Sequence, residues 1–189
     1  MNAFTAPVAV SPLADAMTAS PPKMAGAAIA FTDHSLNPRY GCKGKGAAEW
    51  LQSQGLPLPA GANRWLPLPE EGLIARLGNT EFLVEGNAAI VERLQDSPPP
   101  AGVAIVLHQD AALELSGPGL PELLRQTCNV NFAALDLAES PVVLTSMTGI
   151  GVTVIPGVAS YRIWCDGTYG AALWETLHGI ARELSDASR

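Results

Sequence analysis

The sequence from 141 to 184 is PVVLTSMTGIGVTVIPGVASYRIWCDGTYGAALWETLHGIAREL. Three runs of β-branched and aromatic residues, separated by glycine, threonine and proline, predict strands over 141–147, 150–156 and 160–166. The segment that follows changes to helical spacing. Its apolar stripe consists of Leu173, Trp174, Leu177, Ile180, Ala181 and Leu184. This C-terminal third is therefore a packing unit, and no catalytic residue stands out in it.

The preceding sequence twice shows the order strand, strand, helix. The first unit is a hairpin over 72–78 and 80–86, joined at Gly78-Asn79, and a helix from 88 that Asn87 can cap. The second unit is a strand pair over 101–110 and 112–117 and a helix over 118–128. A short helix at 47–55, ended by Gly55, precedes both units. Strand pairs that alternate with helices covering one face predict the α+β class, with antiparallel strand pairs covered by helices.

The first 30 residues differ in composition from the rest of the chain. They are rich in Ala, Pro, Ser and Thr and show neither the strand period nor the helix period. We therefore predict an extended N-terminal arm over 1–30, disordered alone or lying across a partner. Residues 31–189 are predicted to form a single α+β domain.

Composition and charge restrict the classes of function. Charged residues make up 15% of the 189 residues, against about 25% in an average soluble protein. This fits a surface partly covered by another chain, but it equally fits a small alanine-rich globular protein. The net charge of −7 and the lack of a Lys/Arg stripe argue against nucleic-acid binding.

Membrane and secretory signals are missing from the sequence as well. No apolar run approaches the roughly 20 residues of a membrane-spanning helix, and the N-terminus does not resemble a secretory signal. Three cysteines without close pairs indicate a reducing compartment, so we expect a cytoplasmic protein. Cysteine and histidine residues lack metal-ligand spacing, so no metal site is expected.

Residues 41–46, GCKGKG, are the one segment that could hold a phosphate group, with Lys43 and Lys45 as candidate cofactor-binding residues. A P-loop needs a lysine–hydroxyl pair at fixed spacing, and a dinucleotide fingerprint needs a preceding strand. Neither feature is present. The favoured interpretation is a glycine-rich turn that starts a helix.

Other polar residues are candidates for catalytic groups. His108 and Asp110 share a face of a predicted strand and could form an acid–base pair, but residues at a turn are the favoured interpretation. Glu81 and Glu85 are expected at solvated strand ends, and Cys128 and Cys165 in the core. We therefore assign no catalytic residue.

Large aromatic residues are spread along the chain and are not gathered into a stacking platform. Such residues are typical of cores and of interfaces between chains. Trp65, Trp164 and Tyr169 are the candidates for contacts with another chain.

Three segments carry a family resemblance: GCKGKGAAEWLQSQGLPLP followed by RLGNTEFLVEG, then LHQDAALELSGPGLPELLRQTCNVNF, and finally YRIWCDGTYGAALWETLHGIAREL. They resemble the γ subunit of heterotetrameric sarcosine oxidase and its counterpart in N-methylglutamate dehydrogenase complexes. The LSGPG segment and its leucine-rich helix are similar to the folate-binding T-protein of the glycine cleavage system. The resemblance extends from about Tyr40 to Leu184.

This resemblance implies a T-protein-like folate-binding domain fold and a non-catalytic, structural role. The chain would be one of four, beside α, β and δ subunits. The complex would oxidatively demethylate an N-methyl amino acid and pass the one-carbon unit to tetrahydrofolate. FAD, FMN, NAD and tetrahydrofolate would be bound by the partner subunits, and none by this chain alone.

Two other functions remain open from the sequence. One is a stand-alone, tetrahydrofolate-dependent aminomethyltransferase of the T-protein type. It needs a carboxylate for the pterin ring, and the candidates are Asp110, Glu114 and Asp166. The other is a scaffold unrelated to either family.

Overall fold

The computed structural model describes residues 9–21 and 28–187. The helices of this part are α1 (Ala14–Ala19), α2 (Ala47–Ser53), α3 (Ala88–Asp96), α4 (Leu120–Thr127) and α5 (Gly170–Ala187). Its first five strands are β1 (Ala30–Asp33), β2 (Arg39–Gly44), β3 (Arg64–Pro67), β4 (Leu73–Arg76) and β5 (Glu81–Glu85). The other strands are β6 (Val103–Val106), β7 (Asp110–Ser116), β8 (Val143–Met147), β9 (Ile150–Pro156) and β10 (Ser160–Asp166). Short 3-10 turns lie at Phe132–Ala134, Leu137–Glu139 and Gly167–Tyr169.

The strands form two five-stranded sheets. The first sheet has the order β1-β7-β10-β9-β8 and the second the order β3-β4-β5-β2-β6. Every described pair of neighbouring strands is antiparallel. The predicted α+β class with antiparallel strand pairs is therefore confirmed.

The two sheets pack face to face, and helices cover their outer faces. One apolar core lies between the first sheet and α1, α4 and α5, and a second lies between the other sheet and α2 and α3. A third cluster joins the two sheets. Because successive residues of a strand point to opposite faces, Leu113 and Leu115 of β7 face the helices. Ala112 and Glu114 face the other sheet.

Several local predictions are confirmed. The strands β8, β9 and β10 and the helix α5 lie where the C-terminal pattern places them. The side chain of Asn87 caps α3 by accepting a 2.9 Å hydrogen bond from the Ile90 backbone N–H. Gly55 ends α2 with φ 77°, a left-handed conformation that glycine adopts without steric cost.

The predicted strand pair over 101–110 and 112–117 is wrong. The strand β6 pairs with β2 in the second sheet, whereas β7 pairs with β1 and β10 in the first. Residues 107–109 carry the chain from one sheet to the other. Their sequence, LHQ, offers none of the glycine or asparagine residues that a two-residue hairpin turn favours.

The predicted glycine-rich turn at GCKGKG is also wrong over most of its length. Residues 39–44 form β2, an inner strand of the second sheet. Glycine is required in this strand because another chain segment comes close. A Cβ atom on Gly41 would lie 2.4 Å from the His108 ring, and one on Gly44 would lie 2.0 Å from the Gly102 carbonyl oxygen.

The extended conformation predicted for residues 1–30 is wrong where the structure describes them. The helix α1 lies within this range, and Leu13 and Ile29 are almost fully buried in the first core. The Ala28 backbone N–H donates to Ser185 Oγ on α5 at 3.0 Å. Residues 1–8 and 22–27 lie outside the described residues. The division into an arm and the single domain 31–189 stays a prediction.

Candidate functional site

The centre of the molecule is the layer between the two sheets. Its apolar part contains Leu73, Ala75, Leu83, Ala112, Val142, Ile155 and Trp164. Charged side chains lie in the same layer. A buried charge needs an opposite charge and hydrogen bonds close by. The partners of these side chains therefore determine whether the charges stabilise the fold or can bind a ligand.

Glu85, at the end of β5, is the centre of a buried charge network. Its carboxylate belongs to a residue that is only 1% exposed. It accepts hydrogen bonds from Arg39 Nε at 2.6 Å and from Trp164 Nε1 at 2.6 Å. It also forms an ion pair with Arg162 of the opposite sheet. The expectation that Glu85 lies at a solvated strand end is therefore wrong.

The two arginines extend the network on both sides. Arg39 donates to the backbone carbonyls of His34 at 2.9 Å, Ser35 at 3.1 Å and Asp110 at 3.2 Å. Arg162 Nη2 donates to Glu114 Oε2 at 3.0 Å. Two positive and two negative side chains therefore balance one another, and they tie the two sheets to the loop after β1. The network therefore stabilises the packing of the two sheets against each other.

His34 lies at the edge of this network. Asn37 Nδ2 contacts its Nδ1 at 3.1 Å, and its Nε2 lies 3.9 Å from Glu114 Oε2. Burial, together with the positive charge of Arg162, lowers the pKa of His34 below its ordinary value. The neutral imidazole is therefore favoured in the folded protein.

His108 and Asp110, which the sequence offered as a possible acid–base pair against the favoured turn interpretation, are in contact. His108 Nδ1 and Asp110 Oδ2 are 2.9 Å apart. The ring packs against Gly41, and its buried Nε2 has no hydrogen-bond partner among the described residues. Asp110 and Asp166 are register partners on β7 and β10. All three side chains, with Trp164, line a cavity of about 470 Å³.

A smaller cavity of about 350 Å³ lies further along the same layer. It is lined by Trp65, Glu71, Glu114 and Arg162, among others. The indole N–H of Trp65 and the Nε–H of Arg162 are buried without an acceptor among the described residues. The cavity therefore contains donors and carboxylates in residues that come from both sheets.

The outer surface carries a groove of about 880 Å³ that is lined by apolar and polar residues alike. Three of its lining residues are exposed large apolar residues: Leu107 at 84%, Val10 at 71% and Leu36 at 57%. Asp110 and Asp166 also line it. Exposed apolar residues that gather around one concavity are typical of an interaction surface.

The predicted candidate residues are scattered over the structure. Lys43 and Lys45 are exposed, at the end of β2 and in the turn before α2, and do not line the cavities between the sheets. Trp164 is 3% exposed, so it cannot offer its ring to another chain and the interface prediction is wrong for it. Trp65 is half-buried, and Tyr169 is 56% exposed beside Thr168 of the groove. For these two residues the interface role stays a prediction.

Cys128 and Cys165 lie in the core, as predicted, and Cys42, which was expected in a glycine-rich turn, is buried as well. Cys42, Cys128 and Cys165 are buried and free of disulfides. Burial raises the pKa of the Cys42 and Cys165 thiols to about 11. No group of three or more His, Cys, Asp or Glu side chains within residues 9–21 and 28–187 is arranged to hold a metal ion. Within the same ranges, none of the helices has the length and apolar character needed to cross a membrane.

Sequence reasoning missed Arg39 and Arg162 as partners of Glu85. A usable signal was present, because Arg162 interrupts the apolar run YRIWC and Glu85 follows the run FLV. A charged residue within a strand that is otherwise apolar indicates a buried ion pair. Which charges pair cannot be read from the sequence, because the partners lie 77 residues apart.

Comparison with solved structures gives two informative likenesses. One is to a chain of heterotetrameric sarcosine oxidase from Corynebacterium sp. U-96 in complex with pyrrole 2-carboxylate, with TM-score 0.77 and 22% identity. It covers 94% of this chain and 96% of that chain. The chain has the fold of a sarcosine oxidase subunit. The resemblance predicted from the sequence is thus confirmed at the level of the fold.

The second likeness is to aminomethyltransferase T of the glycine cleavage system from Bartonella henselae, with TM-score 0.65 and 18% identity. It covers 82% of this chain and 47% of that chain. The chain therefore spans about half the length of the aminomethyltransferase. No protein-family model and no curated protein matches the sequence.

Proposed function

We propose that this chain is a non-catalytic, structural subunit of a multi-subunit flavoenzyme complex of the sarcosine oxidase or N-methylglutamate dehydrogenase type. It corresponds to the γ subunit, and α, β and δ subunits complete the complex. The complex oxidatively demethylates an N-methyl amino acid and passes the one-carbon unit to tetrahydrofolate. FAD, FMN, NAD and tetrahydrofolate are held by the partner subunits. The assembly is cytoplasmic.

The observation that carries this proposal is the end-to-end likeness to one chain of a heterotetramer. The alignment covers 94% of this chain and 96% of that chain, so the two chains correspond as wholes. Because the likeness extends over nearly the full length of both chains, it supports a role for this chain as a subunit of a comparable assembly.

The internal geometry supports a structural role for the buried charges. Glu85, Arg39 and Arg162 direct their charged groups at one another and at backbone carbonyls, and their side chains are 1%, 4% and 11% exposed. These contacts, which engage both terminal nitrogens of Arg162 but not its Nε–H, position the strands. The network therefore holds the two sheets in fixed register for contact with other chains.

The surface groove is the docking site that this proposal assigns to a partner subunit. Leu107, Leu36 and Val10 supply apolar contact area, and the carboxylates of Asp110 and Asp166 lie beside them. A partner segment with apolar side chains next to a Lys or Arg residue matches both features. The partner segment covers the exposed apolar side chains.

Purification of the tagged chain from its native host, followed by mass identification of bound chains, tests the proposal. We expect co-elution with three further chains and a flavin absorption spectrum that belongs to the complex. The chain produced alone is expected to bind no flavin and to lack demethylation activity. Elution of the native chain alone, as a monomer that turns over substrate by itself, would contradict the proposal.

A second candidate is the stand-alone tetrahydrofolate-dependent aminomethyltransferase. The observation in its favour is that Asp110 and Asp166 lie opposite each other on β7 and β10 and line a cavity with Trp164. A carboxylate and an aromatic ring are groups that could bind a pterin. Saturable micromolar binding of tetrahydrofolate by the chain alone, lost in Asp110→Asn, would favour this function over the first.

A further inference from the structure

The cavity of about 350 Å³ has a donor side. Trp65 comes from β3, the edge strand of the second sheet, and Arg162 from β10 of the first sheet. Trp65 Nε1 and Arg162 Nε are both buried, and neither has an acceptor among the described residues. A buried N–H without an acceptor costs about 1–3 kcal/mol, so two such donors in residues that line one cavity call for an explanation.

The cavity also has an acceptor side. Glu71 lines it from the turn before β4, and Glu114 lines it from β7. Glu71 makes no hydrogen bond or ion pair within the described residues, whereas Glu114 is bonded to Arg162 through Oε2. Carboxylates in this position can receive an ammonium group.

The backbone beside Glu71 is held in an uncommon conformation. Glu70 and Glu71 have φ values of 57° and 58°, in the left-handed region that residues with a side chain rarely adopt. Two successive residues of this kind cost of order 1–3 kcal/mol each and persist where the surrounding structure holds them. Here the turn is fixed in part by Asn87, which donates to the Pro69 carbonyl and to Glu70 Oε2, each at 3.2 Å.

The charges decide which chemistry fits. Arg39 and Arg162 are balanced by Glu85 and Glu114, so Glu71 leaves the lining with one surplus negative charge. A simple anion would be repelled by this surplus. A simple cation would leave the two N–H donors without acceptors. A zwitterion satisfies both sides.

We propose that this cavity binds a small zwitterionic amino acid. Its carboxylate accepts hydrogen bonds from the Trp65 indole and the Arg162 guanidinium, and its ammonium group pairs with Glu71 and Glu114. The volume of about 350 Å³ is at the lower end of the range for ligand pockets, so the side chain of the ligand is small.

Titration calorimetry on the purified full chain tests this site with glycine, alanine and serine as probes. We expect saturable binding of at least one of the three. Acetate and methylamine, each of which carries half of the zwitterion, are expected to bind at least tenfold more weakly. Equal binding of acetate, or no saturable binding of any of the three amino acids, would overturn the proposal.

Two variants test whether the amino acid binds in this cavity. Trp65→Phe removes the indole N–H, and Glu71→Gln removes the charge from an exposed residue, so that it should fold normally. Each is expected to weaken binding about tenfold or more, since a hydrogen bond to a charged group is lost. Glu92→Gln, an exposed glutamate on α3, is the matched control and should leave affinity unchanged. Unchanged affinity in Glu71→Gln would overturn the proposal that the amino acid binds in this cavity.

The outcome is independent of the function proposed above. Failure of partner chains to co-purify leaves the amino-acid titration interpretable, because it uses the single chain. If tetrahydrofolate binds instead, and Trp65→Phe abolishes that binding, the cavity is a pterin site and the zwitterion proposal is wrong.

Discussion

Glu85 and Arg162 form an ion pair across the two sheets although 77 residues separate them in the chain. Glu85 ends β5 in one sheet, and Arg162 lies within β10 of the other. The pair is almost entirely closed off from solvent, with side-chain exposures of 1% and 11%. Together with the Trp164–Glu85 and Arg39–Asp110 hydrogen bonds, it therefore links the two sheets through polar groups.

Removal of the Glu85 charge should destabilise the protein strongly. In Glu85→Gln, Arg39 keeps a buried positive charge without a counter-charge, and Arg162 keeps only Glu114. This is expected to cost about 3–5 kcal/mol of the free energy of unfolding. Urea denaturation measures this loss. Glu81→Gln, on the same strand but half-exposed, is the control and should change stability by less than about 0.5 kcal/mol. A loss below about 1 kcal/mol in Glu85→Gln would mean that the network does not stabilise the packing of the two sheets.

A side chain at Gly41 should disturb the contact with His108. In Gly41→Ala the new Cβ would lie 2.4 Å from the His108 ring and 2.6 Å from the Val106 carbonyl oxygen. The backbone must move, so we expect a loss of about 1–3 kcal/mol in thermal or urea denaturation. Gly61→Ala meets no atom within 4 Å and serves as the control. Equal stability of the two variants would contradict the close packing of His108 on β2.

His34 should make stability depend on pH. Burial lowers its folded pKa below the unfolded value of 6.5, so the unfolded state binds the proton first as the pH falls. The stability contributed by neutral His34 is therefore full above pH 6.5 and is lost as the pH falls through the interval below it. His34→Asn should show a flatter dependence of the urea midpoint on pH over this interval. An unchanged slope would show that other titratable groups cause the pH dependence of stability.

The cysteines should be inert in the native protein. Burial and a thiol pKa of about 11 leave Cys42 and Cys165 almost entirely protonated at pH 8. Since the thiolate is the reactive form, iodoacetamide should label these two residues at least a hundredfold more slowly in the native state than in urea. Mass spectrometry of labelled peptides measures the ratio. Rapid native labelling of Cys165 would show that β10 opens locally.

Leu107 should be needed for assembly with the proposed partner chains. Leu107→Asp replaces one of the exposed apolar side chains of the groove with a charge, so we expect at least a tenfold lower yield of co-purified chains while the single chain stays folded. Val158→Asp is a matched control, because Val158 is 95% exposed and lies near the opposite end of β10. Loss of partners in Val158→Asp but not in Leu107→Asp would place the interface on the other side of the molecule.

Local signals predicted much of the fold. The helix α3 begins directly after the asparagine that its sequence marks as a cap, and α2 ends just before the glycine that marks a stop. The pattern of β8, β9, β10 and α5 is equally local, because each is recognised from the spacing of its own apolar residues. Of the candidate site, the sequence offered the His108–Asp110 pair only as the less favoured alternative. The two side chains meet although His108 lies in the connection between β6 and β7 and not in a strand.

The sequence by itself determined the class of the fold, the positions of most helices and strands, and the burial of Cys128 and Cys165, because these follow from periodicity and from local turn chemistry. Only the tertiary structure decided that β6 and β7 belong to different sheets, that Gly41 lies under the His108 ring and that Glu85 meets Arg162. The physical reason is that strand partners and ion pairs are chosen by packing between segments far apart in the chain. The burial that makes a charged side chain require an opposite charge exists only after the two sheets have packed together.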